Sequence, residues 1–201
     1  MKNLLSITIF LSLALLSCAQ IPSEQEQISA AVLTLPEDQQ AEATVLGYDR
    51  SGELITLRQG SNDQICLADD PNKEGYNAAC YHKDLSDFMA RGRALAKEGK
   101  NSGEIFDIRE KEAKAGELIM PDHPATLHIC YGPDGKFNTE TGEMENTNIR
   151  YVVYIPWATP ESTGLPLKPM MPGGPWIMNP GTHRAHIMIT PPKKEEAKKE
   201  E

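Results

Sequence analysis

The stretch from 156 to 184 constrains this chain most. It holds Pro156, Pro160, Pro166, Pro169, Pro172, Pro175 and Pro180, with Gly164, Gly173, Gly174 and Gly181 between them. Proline has no backbone N–H and a fixed φ, so it cannot serve a helix interior or a central strand. A loop of this length in a small domain is either functional or disordered. Both tryptophans of the chain, Trp157 and Trp176, fall inside it. Disordered segments are poor in aromatic residues. The stretch therefore predicts an ordered, proline-rich flap packed over a sheet face.

Around the flap the pattern is that of short strands and two helices. Strands are predicted at 43–48, 53–58, 64–68, 125–131, 149–155 and 185–190, with Asp49-Arg50-Ser51-Gly52 and Gly60-Ser61-Asn62-Asp63 as turns. The first three read as an antiparallel meander. A long, turn-rich hairpin is expected between 131 and 149, where Gly132-Pro133-Asp134-Gly135 and Thr141-Gly142 lie. One helix is expected to start at Asp84, carry Leu85, Phe88, Met89 and Leu95 on one side, and stop at Gly99. Ser102 caps a second, with Glu104 and Asp107 at its front and Lys111 and Lys114 at its back, the charge order that suits the helix dipole. Ser29 to Leu35 reads as a short helix or strand that opens the domain, ended by Pro36. The predicted architecture is α+β: an antiparallel sheet of about six strands, two helices on one face, and the flap.

The N-terminus sets the compartment. Lys2 precedes an apolar run from Leu4 to Leu16, and Leu15-Leu16-Ser17-Cys18 follows. The run is too short to span a bilayer, which takes about 20 apolar residues. A basic start, a short apolar core and a small-residue exit make a secretory signal peptide. Its end resembles the bacterial lipoprotein signal, which implies cleavage before Cys18 and lipid on that residue. Ser17-Cys18-Ala19 also fits ordinary signal peptidase, which would leave Gln20 first. A buried N-terminal helix suits the polar, proline-containing 20–27 stretch poorly. On this reading 1–18 is the leader, 19–28 a polar tether, 29–192 one globular domain and 193–201 a charged tail. The location is the bacterial cell envelope, with membrane attachment through an N-terminal lipid.

Export also governs the cysteines, since disulfides persist outside the cytoplasm. If Cys18 bears lipid, Cys66, Cys80 and Cys130 remain, enough for one bridge and one free thiol. Cys66–Cys80 is the favoured pair, against Cys66–Cys130, Cys80–Cys130 or no bridge. The formal charge is −9 and no basic stripe is present, so nucleic acid is not an expected partner.

The chemistry-bearing residues give no single signature. His183 and His186 are three apart on a segment that reads as strand, where side chains alternate faces. With Met170, Met171 and Met178 they make a soft donor set suited to copper, although methionine also fills gaps under irregular segments. Asp70-Pro71-Asn72-Lys73-Glu74-Gly75 imitates the start of a calcium loop, yet Tyr81 stands where the closing glutamate belongs. Cys80-Tyr81-His82 places thiol and imidazole side by side in sequence, where strand neighbours point apart. No Gly-x-Ser-x-Gly or phosphate-cradling loop occurs, and Asp122, Glu140, Glu143 and Glu161 are scattered carboxylates.

The expectation is a non-enzymatic envelope protein that needs no cofactor and binds an envelope protein or small ligand through the flap, with Trp157, Trp176, His183 and His186 as binding residues. An exported hydrolase with a histidine–carboxylate site under the flap is the alternative, and a copper-binding protein the third. Intact-mass analysis of the native protein should show a chain beginning at lipidated Cys18, partitioning with membranes. An unlipidated species starting at Gln20 would keep export and remove the anchor.

Overall fold

The computed structural model describes residues 21–192. The leader, Cys18, the first tether residues and the tail at 193–201 lie outside the described residues. The chain forms β1 (Thr44–Tyr48), β2 (Leu54–Arg58), β3 (Gln64–Leu67), β4 (Tyr76–His82), β5 (Ala125–Gly132), β6 (Lys136–Asn138), β7 (Glu143–Glu145), β8 (Asn148–Tyr154), β9 (Trp176–Met178) and β10 (His186–Ile189). Eight of these make one sheet in the order β2-β1-β3-β4-β5-β8-β10-β9, while β6 and β7 pair as a separate hairpin within the turn-rich segment. The protein is thus mixed α/β with a mostly antiparallel sheet. Among the described residues, no helix is long and apolar enough to cross a membrane.

The sheet has eight strands where the sequence suggested about six. The two additions are β4 and β9. Residues 76–82 carry Asn77, Ala78 and Ala79, which have weak strand preference. Tertiary burial overrides this, because β4 pairs with β3 on one side and β5 on the other. In the flap, β9 is only three residues long and pairs along β10 at the sheet edge, where proline neighbours are tolerated.

The expected meander is also corrected. β1 and β2 form the antiparallel hairpin, with Gly52 at φ 81° and the Asp49 carboxylate accepting the Ser51 N–H at 2.8 Å. But β3 lies on the other side of β1 and runs parallel to it. The link crosses close beneath the start of β1. Gly60 donates to Thr44 Oγ1 at 3.1 Å and Ser61 N–H to the Glu42 carbonyl at 2.8 Å. A side chain at Gly60 would overlap the Glu42–Thr44 backbone. This placement buries β1 between two neighbours and leaves β2 as the more exposed edge.

The central strands are buried on both faces. One face is covered by α1 (Glu24–Val32), which begins inside the stretch expected to be tether. Ser23 and Glu26 form a reciprocal capping box there. Ala31, Val32 and Leu35 pack on Val45, Cys66 and Cys80. The Gln27 amide seals the join, donating to the Tyr48 carbonyl and accepting its N–H, both at 2.8 Å. A short helix, α2 (Glu37–Gln40), follows.

The opposite face carries the two expected helices, α3 (Ser86–Lys97) and α4 (Ser102–Lys114). Their caps differ by a residue from the sequence reading: a 3₁₀ turn at Lys83–Leu85 leads into α3, and Asn101, not Ser102, caps α4 with Glu104 completing the box. Leu85 and Phe88 join Tyr81, Leu127, Val152 and Tyr154 in the largest core cluster. Gly92 lies in mid-helix where a Cβ would come within 2.9 Å of the Arg109 guanidinium, so its absence lets α3 and α4 close together. Arg109 is buried there, its Cζ 3.8 Å from the centre of the Phe88 ring, and desolvation lowers its pKa to about 10.

Cys66 and Cys80 face each other across β3 and β4 and are bonded, with Cα atoms 3.9 Å apart. Both lie under α1, and Cys130 is a free, buried thiol whose pKa is raised by burial. In the chain-entropy account such a loop contributes about 3 kcal/mol. The double variant Cys66→Ala/Cys80→Ala should lose about 2–5 kcal/mol in chemical denaturation. Native alkylation without reductant should label none of the three cysteines 66, 80 and 130.

Candidate functional site

Four chain segments meet at one end of the sheet because of strand register. Tyr81 near the end of β4 pairs with Leu127 of β5; Ala125, opening β5, pairs with Tyr154, closing β8; Tyr154 also faces His186, opening β10. The chain leaving β4, entering β5, leaving β8 and entering β10 therefore gathers there. Two shallow grooves flank the Met120–His123 segment. The first, about 380 Å³, is walled by Met120, Pro121, Pro124, Ile155, Pro156 and Trp157. The second, about 470 Å³, is lined by Lys83, Asp84, Asp87 and Ile119, with Asp122 and His123 shared.

Trp157 is 41% exposed at the mouth of the first groove, and its backbone is left-handed at φ 67°. A bulky residue there is uncommon and strained. The surrounding hydrogen bonds hold it: Ile155 N–H donates to the Ala185 carbonyl at 2.9 Å, Trp157 N–H to Thr182 at 2.8 Å, and Gly181 N–H to Ala158 at 2.7 Å. These bonds prolong the β8–β10 contact beyond the strand ends. Lys114 Nζ of α4 stands 5.9 Å from the centre of the indole. Trp176 has another place. It lies partly buried in β9, packed against the largest core cluster.

Asp84, in the 3₁₀ turn, and His123, in the loop before β5, line the second groove, and His82, ending β4, adjoins Asp84. Asp84 Oδ2 is 2.9 Å from His123 Nε2 and 3.3 Å from His82 Nδ1. Asp122 Oδ1 is 3.0 Å from His123 Nδ1. His123 is drawn upward in pKa by the Asp122 hydrogen bond, with Asp84 adding to it.

His183 is fully buried and belongs to a different constellation. Its ring lies edge-on to Phe88 and Phe106, with centroids 5.8 and 5.0 Å away. Glu110 Oε2 accepts from its backbone N–H at 3.1 Å and lies 2.5 Å from its Nδ1. Lys114 Nζ meets the other Glu110 oxygen at 2.6 Å. Burial would raise the Glu110 pKa, but hydrogen bonds from Lys114 and His183 hold it down to about 2. Burial lowers the His183 pKa despite the carboxylate beside it. A neutral His183 donates through Nδ1, which leaves its buried Nε2 without a partner. This contact latches the end of the flap to α4.

The other sequence candidates are dispersed. His186 is buried, its Nδ1 2.7 Å from the Arg184 carbonyl oxygen, and it sits opposite Met178 across β9 and β10. Met170 is 85% exposed and Met171 is also exposed. Asp70 accepts from the Asn72 N–H at 3.0 Å and pairs with Lys73 at 3.0 Å, as the organiser of a turn. Glu140, Glu143 and Glu161 are exposed away from the grooves, whereas Asp122 stands on the rim. The sequence reading passed over His82, Asp84 and His123 as a group. Residues 82 and 123 have no motif spacing. The available signal was Pro121-Asp122-His123-Pro124, where flanking prolines stiffen a loop bearing an acid and an imidazole.

Glu110 and His183 both bind fewer protons folded than unfolded in acid. Stability from them is complete above the unfolded histidine value of 6.5 and declines as pH falls, with the Glu110 share lost between 4.5 and about 2. Thermal unfolding across this range should show a falling Tm. Glu110→Gln should lower Tm at neutral pH and flatten the decline below 4.5. A variant curve parallel to the wild type would remove Glu110 as the source.

Comparison with known protein families, curated proteins and solved structures finds no match to this chain, so the chemistry of the site rests on its own residues.

Proposed function

We propose that the protein is an exported, lipid-anchored binding domain of the bacterial envelope, which receives an apolar group of a small ligand or partner against Trp157. The carrying observation is Trp157 itself: a large aromatic kept partly in solvent, on a strained backbone, at the mouth of an apolar groove of about 380 Å³. Volumes of this order suit small-molecule groups. Partly exposed tryptophans with locked surroundings make efficient anchors, since little entropy remains to be lost on contact. Of the flap residues expected to bind, Trp157 supports this reading most directly, and Trp176 and His183 support it by holding the flap in place. An exported hydrolase is the second reading, favoured by His123 between Asp84 and Asp122 on the same rim. Turnover of a chromogenic ester by the native protein would shift the choice to it.

With both tryptophans replaced by 5-fluorotryptophan, titration with indole should move the ¹⁹F resonance of Trp157 and leave that of Trp176 in place. Trp157→Gly should abolish capture and change stability by no more than about 1 kcal/mol, because glycine adopts the left-handed conformation freely and recovers part of the lost packing. A loss of about 3–5 kcal/mol would mark Trp157 as core instead.

A further inference from the structure

We infer that His82, Asp84 and His123 form a binding site for a divalent transition ion of the zinc class, at the join of the two grooves. The site is independent of the ligand reading above, since its donors lie on the rim and not on Trp157. Each residue offers one donor atom, and the three atoms lie within 4.8 Å of one another. Two imidazoles and one carboxylate suit zinc and its neighbours, and leave coordination positions open to water or a ligand. Donors around tetrahedral zinc stand roughly 3.4 Å apart, as follows from bonds of about 2.0–2.2 Å. The contacts of Asp84 Oδ2 at 2.9 and 3.3 Å both lie a little inside that spacing. His123 is half-exposed, so its ring can complete the approach.

Two further observations point to a cation. His82 Nδ1 accepts the Asp84 backbone N–H at 3.3 Å, which places its lone pair on that side of the ring. The Asp84 carboxylate oxygen stands 3.3 Å from the same nitrogen. An ion on that single lone pair takes the place of the Asp84 N–H contact and is shared with the Asp84 carboxylate oxygen beside it. His123 is held from behind. Asp122 lies 3.0 Å from its Nδ1, the carboxylate–histidine arrangement that fixes the tautomer and turns Nε2 toward a metal. Lys83, between His82 and Asp84 in sequence, does not take the place of the ion, since its Nζ is paired with Asp63 at 2.8 Å. Asp87 and Asp122 add negative charge around the second groove.

Thioether donors select copper(I), whereas two imidazoles and a carboxylate suit zinc and cobalt(II), so these two metals are the probes. The full mature chain, in detergent if it carries lipid, is titrated with ZnCl₂ by calorimetry in chelator-free buffer. It is then titrated with CoCl₂ while visible absorption is followed. The expected result is one saturable site for each metal, with a tetrahedral-type cobalt band. His82→Gln, Asp84→Asn and His123→Gln should each weaken zinc at least tenfold, and Asp122→Asn should weaken it by roughly 10- to 100-fold as a supporting carboxylate does. His128→Gln, on a histidine bonded to the Thr34 carbonyl under α1, should leave affinity unchanged. Circular dichroism confirms that each variant is folded. No saturable zinc binding, or zinc binding that survives loss of both His82 and His123, would overturn the assignment.

Discussion

The ladder of β4, β5, β8 and β10 sets the terms for everything else. β5 is paired along its length on both sides, from Tyr76↔Gly132 to Tyr81↔Leu127 with β4 and from Ala125↔Tyr154 to Tyr131↔Asn148 with β8. Strands paired on both edges have their backbone polar groups satisfied, but their side chains alternate between two faces and each face needs a cover. On one face α1 and the β6–β7 hairpin pack over Cys80, Ala78 and Cys130. On the other, Leu85 and Phe88 of the α3 segment close over Tyr81, Leu127 and Tyr154. The register that satisfies the ladder also brings four chain crossings to one end, where both grooves form.

The flap is held to that end by unlike forces. Backbone hydrogen bonds continue the β8–β10 pairing to Trp157 and Gly181. Glu110 then ties His183 to α4 through two contacts on one carboxylate oxygen. Because the latch is buried and its carboxylate is ionised, it is strong only while His183 and Glu110 keep their folded protonation states. The same helix turn sends Lys114 toward Trp157. Histidines that look alike in sequence thus divide their work: His183 and His186 are interior parts of the flap's seat, while His123 lines both grooves and His82 is partly exposed beside Asp84.

Much of the fold was legible from residue order. Asp49-Arg50-Ser51-Gly52 forms its turn because the Asp49 carboxylate gathers the following N–H groups and glycine takes the positive φ. The two helices α3 and α4 lie where periodicity placed them, with caps one residue away from the expected ones, and Cys66 joins Cys80. What escaped was non-local. The parallel pairing of β1 with β3 depends on the chain passing behind Gly60, and β4 depends on neighbours that supply burial its own composition does not suggest. The cluster at His82, Asp84 and His123 is also non-local, since the antiparallel pairing of β4 with β5 is what places the end of one strand beside the start of the next.

By itself the sequence determined local conformation: where the chain reverses at Asp49–Gly52, and that the segments of α3 and α4 are helical. These follow from φ restrictions, side-chain periodicity and short-range hydrogen bonds, all of which act within a few residues. The tertiary structure alone decided which strand lies next to which, that Trp157 stands in solvent while Trp176 packs on the core, and that His183 is interior while His123 is on a rim. Such outcomes depend on burial and strand register summed over the whole sheet. No residue's type or spacing reveals in advance which distant segment will lie against it.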